Sequence, residues 1–115
     1  MKLIGIVFMI SLLACSTKSP KYIQGYIYNE LKKPMIGIKV EDPNDRNIFS
    51  ITDMKGYFKI NQMINGRYLY VILKEKMDSI YIVRTHPETG RSYSFVEGRK
   101  DTVFIDEKTQ KIIGQ

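Results

Sequence analysis

An all-β fold, a single antiparallel β-sandwich of about seven strands, is what this sequence predicts, and three features predict it. Apolar residues from Tyr22 onward recur with period two rather than 3.6. Turn-forming clusters break the alternation at short intervals, among them residues 29–34, 41–47, 53–56 and 86–91. No segment carries a convincing helical pattern. The composition is ordinarily globular, 43% hydrophobic and 26% charged, so disorder is excluded, and 115 residues suit one domain.

Each strand is justified locally. Residues 22–29 alternate Ile23, Gly25 and Ile27 against Gln24, Tyr26 and Tyr28. Pro34, which cannot donate to a ladder, closes the turn that follows. A second strand spans 36–41, with Ile38 and Val40 inward, and a third spans 48–52. Asp53 to Gly56 turns the chain, and 57–61 returns with Phe58 and Ile60 inward. Asn65-Gly66 is a strong turn signal ahead of 67–74, the most apolar strand. There Tyr68, Tyr70 and Ile72 share one side and Leu69, Val71 and Leu73 the other. Residues 79–85, 92–97 and 102–106 complete the strands, and 107–115 reads as a polar, frayed tail.

The N-terminus reads differently. Lys2, an apolar run over 3–10 and a small residue at 14 make a secretory signal peptide over 1–14, too short to span a bilayer. "LLAC", residues 12–15, resembles a bacterial lipobox. That resemblance implies that Cys15 is joined to diacylglycerol, becomes the new N-terminus and is acylated, so membrane lipid is a partner. Two or more chains anchor stably, at about 0.8 kcal/mol per buried methylene. Cys15 is the sole cysteine, which excludes an internal disulfide. Residues 15–21 are then a lipidated tether, and 22–106 the folded domain.

"TDMKGYFKI" has a local explanation. Asp53 accepts hydrogen bonds from the turn's backbone, Gly56 supplies positive φ, and Thr52 ends a strand. Together with Gly25, Pro34, Gly37, Ile38 and Val40, the run Thr52, Asp53, Gly56, Phe58, Ile60 resembles the carboxypeptidase regulatory-like family. The resemblance covers Tyr22 to about Leu73 and implies a transthyretin-like sandwich acting as a non-catalytic module. It carries over no catalytic residue.

The chemistry on offer is thin. His86 is the only histidine, which excludes a His-rich zinc site and leaves a serine triad poorly supported. Asp42, Asn44 and Asp45 crowd one loop but lack the spacing of a calcium loop; turn capping explains them. No metal and no cofactor is expected. Tyr22, Tyr26 and Tyr28 form a candidate binding strip on one strand face. A net charge of +6 is spread over strands and loops, unlike the concentrated face of a nucleic-acid binder, so no nucleic-acid partner is expected.

The sequence therefore leads to the expectation of an exported, lipid-anchored envelope protein on the periplasmic side of the outer membrane. It would bind a partner protein or envelope component without catalysis. The alternatives are a glycan or peptide capture module serving an envelope enzyme or transporter, and a toxin-neutralising immunity lipoprotein.

Overall fold

The computed structural model describes residues 19–115. Cys15, the expected signal peptide and most of the tether lie outside the described residues. Within them there are ten strands and no helix: β1 (Ile23–Asn29), β2 (Lys39–Asp42), β3 (Asp45–Ile51), β4 (Tyr57–Ile60), β5 (Tyr68–Ile72), β6 (Met77–Tyr81), β7 (Val83–His86), β8 (Gly90–Tyr93), β9 (Thr102–Asp106) and β10 (Lys111–Gly114). The described residues are all-β.

Two four-stranded sheets have the orders β10-β9-β1-β4 and β3-β2-β5-β6, and β7 and β8 form a separate hairpin. One buried cluster draws on both sheets. Ile23, Ile27, Phe58, Val103 and Ile105 come from the first, and Val40, Leu69, Val71 and Ile80 from the second. β1 and β5 bury alternate residues along their lengths, as period-two patterning requires. Burying a branched aliphatic side chain contributes about 1.5–3 kcal/mol, and this shared cluster is what ties the sheets together.

Tyr26 to Asn29 of β1 run parallel to β9, which corrects the expectation of a purely antiparallel fold. Alternation along a strand fixes which residues face the core, and it is identical for either direction of travel. The tail is also corrected. Ile112 lies opposite Ile105 and packs on the core, making residues 111–114 a strand. Asp106 shapes the preceding turn by accepting from the Lys108 N–H at 2.9 Å. Ile112 N–H donates to Asp78 Oδ2 of β6 at 3.0 Å, tying the edge of one sheet to the edge of the other.

Other expectations move too: ten strands stand where about seven were expected, and the strands expected over 36–41 and 48–52 run Lys39–Asp42 and Asp45–Ile51. The expected strand over 79–85 is divided into β6 and β7, with buried Ile82 between them donating its N–H to the Arg67 carbonyl at 2.8 Å. The expected strand over 92–97 stops at Tyr93, because Phe95 adopts φ +58° to enter the core. Its N–H donates to Asp101 Oδ2 at 2.8 Å, and its carbonyl accepts from the Gln24 N–H at 3.0 Å. Gly25 makes room for it: a Cβ there would lie 2.5 Å from Phe95 Cδ1, beside the stacked Phe58 and Phe95 rings.

Candidate functional site

The Thr52–Gly56 turn is built as a brace. Asp53 Oδ1 accepts from Lys55 N–H at 2.9 Å and from Tyr57 N–H at 3.0 Å. Gly56 has φ +74°, and its carbonyl accepts from the Ile27 N–H at 2.8 Å, which docks the turn on β1. Thr52, almost fully buried, contributes more than strand propensity. Its hydroxyl donates to the Met35 carbonyl at 2.7 Å and accepts from the Ile38 N–H at 2.8 Å. Phe58 goes directly into the core. All four residues act on the register and entry of β2, β4 and β1.

The tyrosine strip is real as a face, but its membership differs from the sequence reading. Tyr26 and Tyr28 lie 6.3 Å apart between ring centroids, Tyr57 joins Tyr26 at 5.3 Å, and Phe104 joins Tyr28 at 6.2 Å. Tyr22 instead lies under the Lys59 ammonium at 4.3 Å. Every ring is half-buried against its neighbours. The Tyr57 hydroxyl donates to Gln24 Oε1 at 2.9 Å. Burial, then the nearby Tyr22, Tyr26 and Asp53 charges, push its pKa above the ordinary tyrosine value. These rings pack on one another in edge-to-face and tilted pairs.

The outer face of the other sheet is different. Register places Phe49, Glu41, Tyr70 and Ser79 in one row across β3-β2-β5-β6, and Ile51, Lys39, Ile72 and Met77 in the next. Tyr68 and Tyr81 form a third. Ile51 is 55% exposed, and Phe49, Met77 and Tyr81 are each close to half exposed. Tyr68 lies 5.6 Å from Tyr70 and 5.8 Å from Tyr81. Hydrogen bonding to Tyr70, then repulsion from it, raises the Tyr68 pKa. Phe49 and Ile51 on one edge strand and Met77 and Tyr81 on the other flank Lys39 and Glu41, and several large apolar side chains exposed on one face mark an interaction surface more often than scattered single residues do.

At its centre Glu41 is only 4% exposed, and its Oε2 has no hydrogen-bond partner among the described residues. Lys39, its neighbour on the same face, sends its ammonium over the Phe49 ring instead, at 4.6 Å. Glu41 lies on the floor of an open depression of about 560 Å³, bounded by Lys39, Arg46, Ile72 and the 73–77 turn.

Sequence reasoning placed Tyr68, Tyr70 and Ile72 together but missed Phe49, Ile51, Met77, Tyr81 and Glu41. A signal was present: in β3 two of the three apolar residues, Phe49 and Ile51, fall on the face opposite Ile48. Asp42, Asn44 and Asp45 act as turn formers, with Asp42 Oδ1 accepting from Asn44 N–H at 2.9 Å. Asp45 Oδ1 accepts likewise from Asn47 N–H at 3.0 Å. Among the described residues no three His, Cys, Asp or Glu side chains gather as metal ligands. His86 Nε2 lies 3.3 Å from Ser92 Oγ across the exposed β7–β8 hairpin. No protein-family model, curated protein or solved structure matches the chain.

Proposed function

We propose that this chain is a lipid-anchored binding module of the bacterial envelope, tethered through Cys15 and contacting a partner protein through the outer face of β3-β2-β5-β6. The proposal includes a two-sheet sandwich of the transthyretin-like, carboxypeptidase regulatory-like kind, acting without catalysis. One observation carries it: large apolar side chains stand open to solvent on one sheet face, Phe49 and Ile51 on β3 and Met77 and Tyr81 on β6, either side of Lys39 and Glu41. Such a face is costly to keep in water, at roughly 25 cal/mol for each Å² of apolar area that a partner would cover. Distribution of the strands supports the anchor end. Ser19 and Pro20 line a cavity with Met63, Ile64 and Arg67, at the start of β5, whereas the 73–77 turn lies at its far end. A tether there would leave the sheet face free above the membrane.

The test is retention of a partner by the tagged, lipidated chain from detergent-solubilised envelopes, repeated with Ile51→Asp and Tyr81→Asp. Both positions are exposed, so the variants should fold. The expected result is one protein retained by the parent chain and lost with both variants. Equal retention by all three would remove this face from the account.

A further inference from the structure

The floor of the exposed face holds an acidic group with nowhere to turn. Glu41 is more than nine-tenths buried, faces outward between the cross-strand neighbours Phe49 and Tyr70, and leaves Oε2 without a partner among the described residues. Buried carboxylate oxygens are hydrogen-bonded in the large majority of proteins, so an orphan at the bottom of a depression requires a reason. Packing gives none, because Val40, not Glu41, supplies the strand's contribution to the core.

Charge around the depression is arranged in two zones. The centre is the Glu41 carboxylate. The margin carries Lys39, Arg46, Lys74 and Lys76 against a single acid, Glu75. Lys39 does not neutralise Glu41, since its ammonium lies over Phe49. A simple basic segment would meet repulsion at the margin, and a simple acidic one would meet it at the floor. Complementarity calls for one central cation with acidic groups beside it, set among apolar side chains that cover Ile72 and Met77.

Resting on the reading of this face as a protein contact, we propose that Glu41 is the anchor for one Lys or Arg side chain of the partner protein, inserted into the depression and flanked by acidic residues. An Arg side chain suits the site best, because its guanidinium stays charged and sheds water more readily than an ammonium on entering a partly closed depression. Closure by the partner's apolar residues would exclude water and strengthen the pair.

The probe is the synthetic peptide acetyl-Glu-Leu-Arg-Leu-Glu-amide, followed by heteronuclear NMR on the full folded chain. Its control is the same peptide with citrulline, the uncharged isostere of arginine. The arginine peptide should shift the amides of β2 and β5 around Glu41. Its binding should be about tenfold tighter or more than that of the citrulline peptide. Glu41→Gln should erase the difference between the two. Equal binding of both peptides, shifts confined to other surfaces, or no shift up to about 10 mM peptide would overturn the proposal.

Sedimentation of the parent chain is the second arm. Concentration-dependent dimerisation that Glu41→Gln abolishes would assign the face to a second copy and overturn the partner proposal. Envelope capture separates the two levels of inference. If Glu41→Gln retains the partner as the parent does while Ile51→Asp loses it, the anchor role fails and the face stands. If Ile51→Asp also retains it, the face itself fails.

Discussion

Replacing Gly56 with alanine isolates what the Thr52–Gly56 turn does for the fold. Gly56, Gly37 and Gly90 share nearly the same backbone conformation, with φ of +74°, +78° and +83°. Their surroundings differ. A Cβ at Gly37 or Gly90 meets nothing within 4 Å, whereas one at Gly56 falls 2.5 Å from the Ile27 carbonyl oxygen and 3.2 Å from Pro34 Cβ. The left-handed conformation alone costs an L-residue about 1–2 kcal/mol. At Gly56 the new methyl must also drive the turn off β1. That carbonyl accepts from Met35 N–H, and Ile27 N–H donates to Gly56, at 2.9 and 2.8 Å. Losing one buried backbone bond adds about 1–3 kcal/mol. Gly56→Ala should therefore cost about 3 kcal/mol or more, and Gly37→Ala only about 1 kcal/mol. Urea unfolding of the three proteins at one pH measures both values. A difference between the two variants of less than about 0.5 kcal/mol would refute the close-approach argument.

Other outcomes follow from the same geometry. Thr52→Val keeps the side-chain shape but strands the Ile38 N–H and the Met35 carbonyl, so it should lower stability by about 2 kcal/mol in urea unfolding. Gly25→Ala should cost about 1–3 kcal/mol by pressing on Phe95, and Phe58→Leu should recover part of that loss in a double-mutant cycle. The bidentate bond from Arg99, opposed by burial and aided by the Phe95 N–H, holds the Asp101 carboxyl below its ordinary pKa. A depressed carboxylate adds stability that is whole above the unfolded value, about pH 4, and lost as pH falls through the folded value. The melting difference between the parent chain and Asp101→Asn should hence shrink as pH drops below about 4, and a constant difference would contradict the assignment. Glu41→Gln should not destabilise the isolated chain and should raise its melting temperature, because a buried charge without a partner opposes folding.

How legible this was depended on the kind of information each residue carries. β1, β4 and β5 alternate cleanly between buried and more exposed positions, and local pattern located them. The turn at Asp53 was legible because its acceptor lies within four residues of its donors. Direction of pairing was not legible: the parallel β1–β9 contact joins segments separated by the whole second sheet. Nor was β10, a short strand in an otherwise polar tail, whose contacts at Ile112 and tie to Asp78 reach far back along the chain. Thr52 looked like a strand end because its two partners, Met35 and Ile38, lie far back along the chain. Glu41 looked like the polar end of a strand, and only the register with Phe49 and Tyr70 places it at the centre of a face. Long-range register is what a single strand's pattern omits.

Site-specific photo-crosslinking in native cells tests the open sheet face most directly. Benzoylphenylalanine introduced at Phe49 or Tyr81 samples that face, and at Tyr26 it samples the opposite sheet. One protein adduct of the same mass from Phe49 and Tyr81, with none from Tyr26, is the expected result. Adducts from Tyr26 with none from the other two positions would place the contact on the wrong side of the molecule and contradict the account.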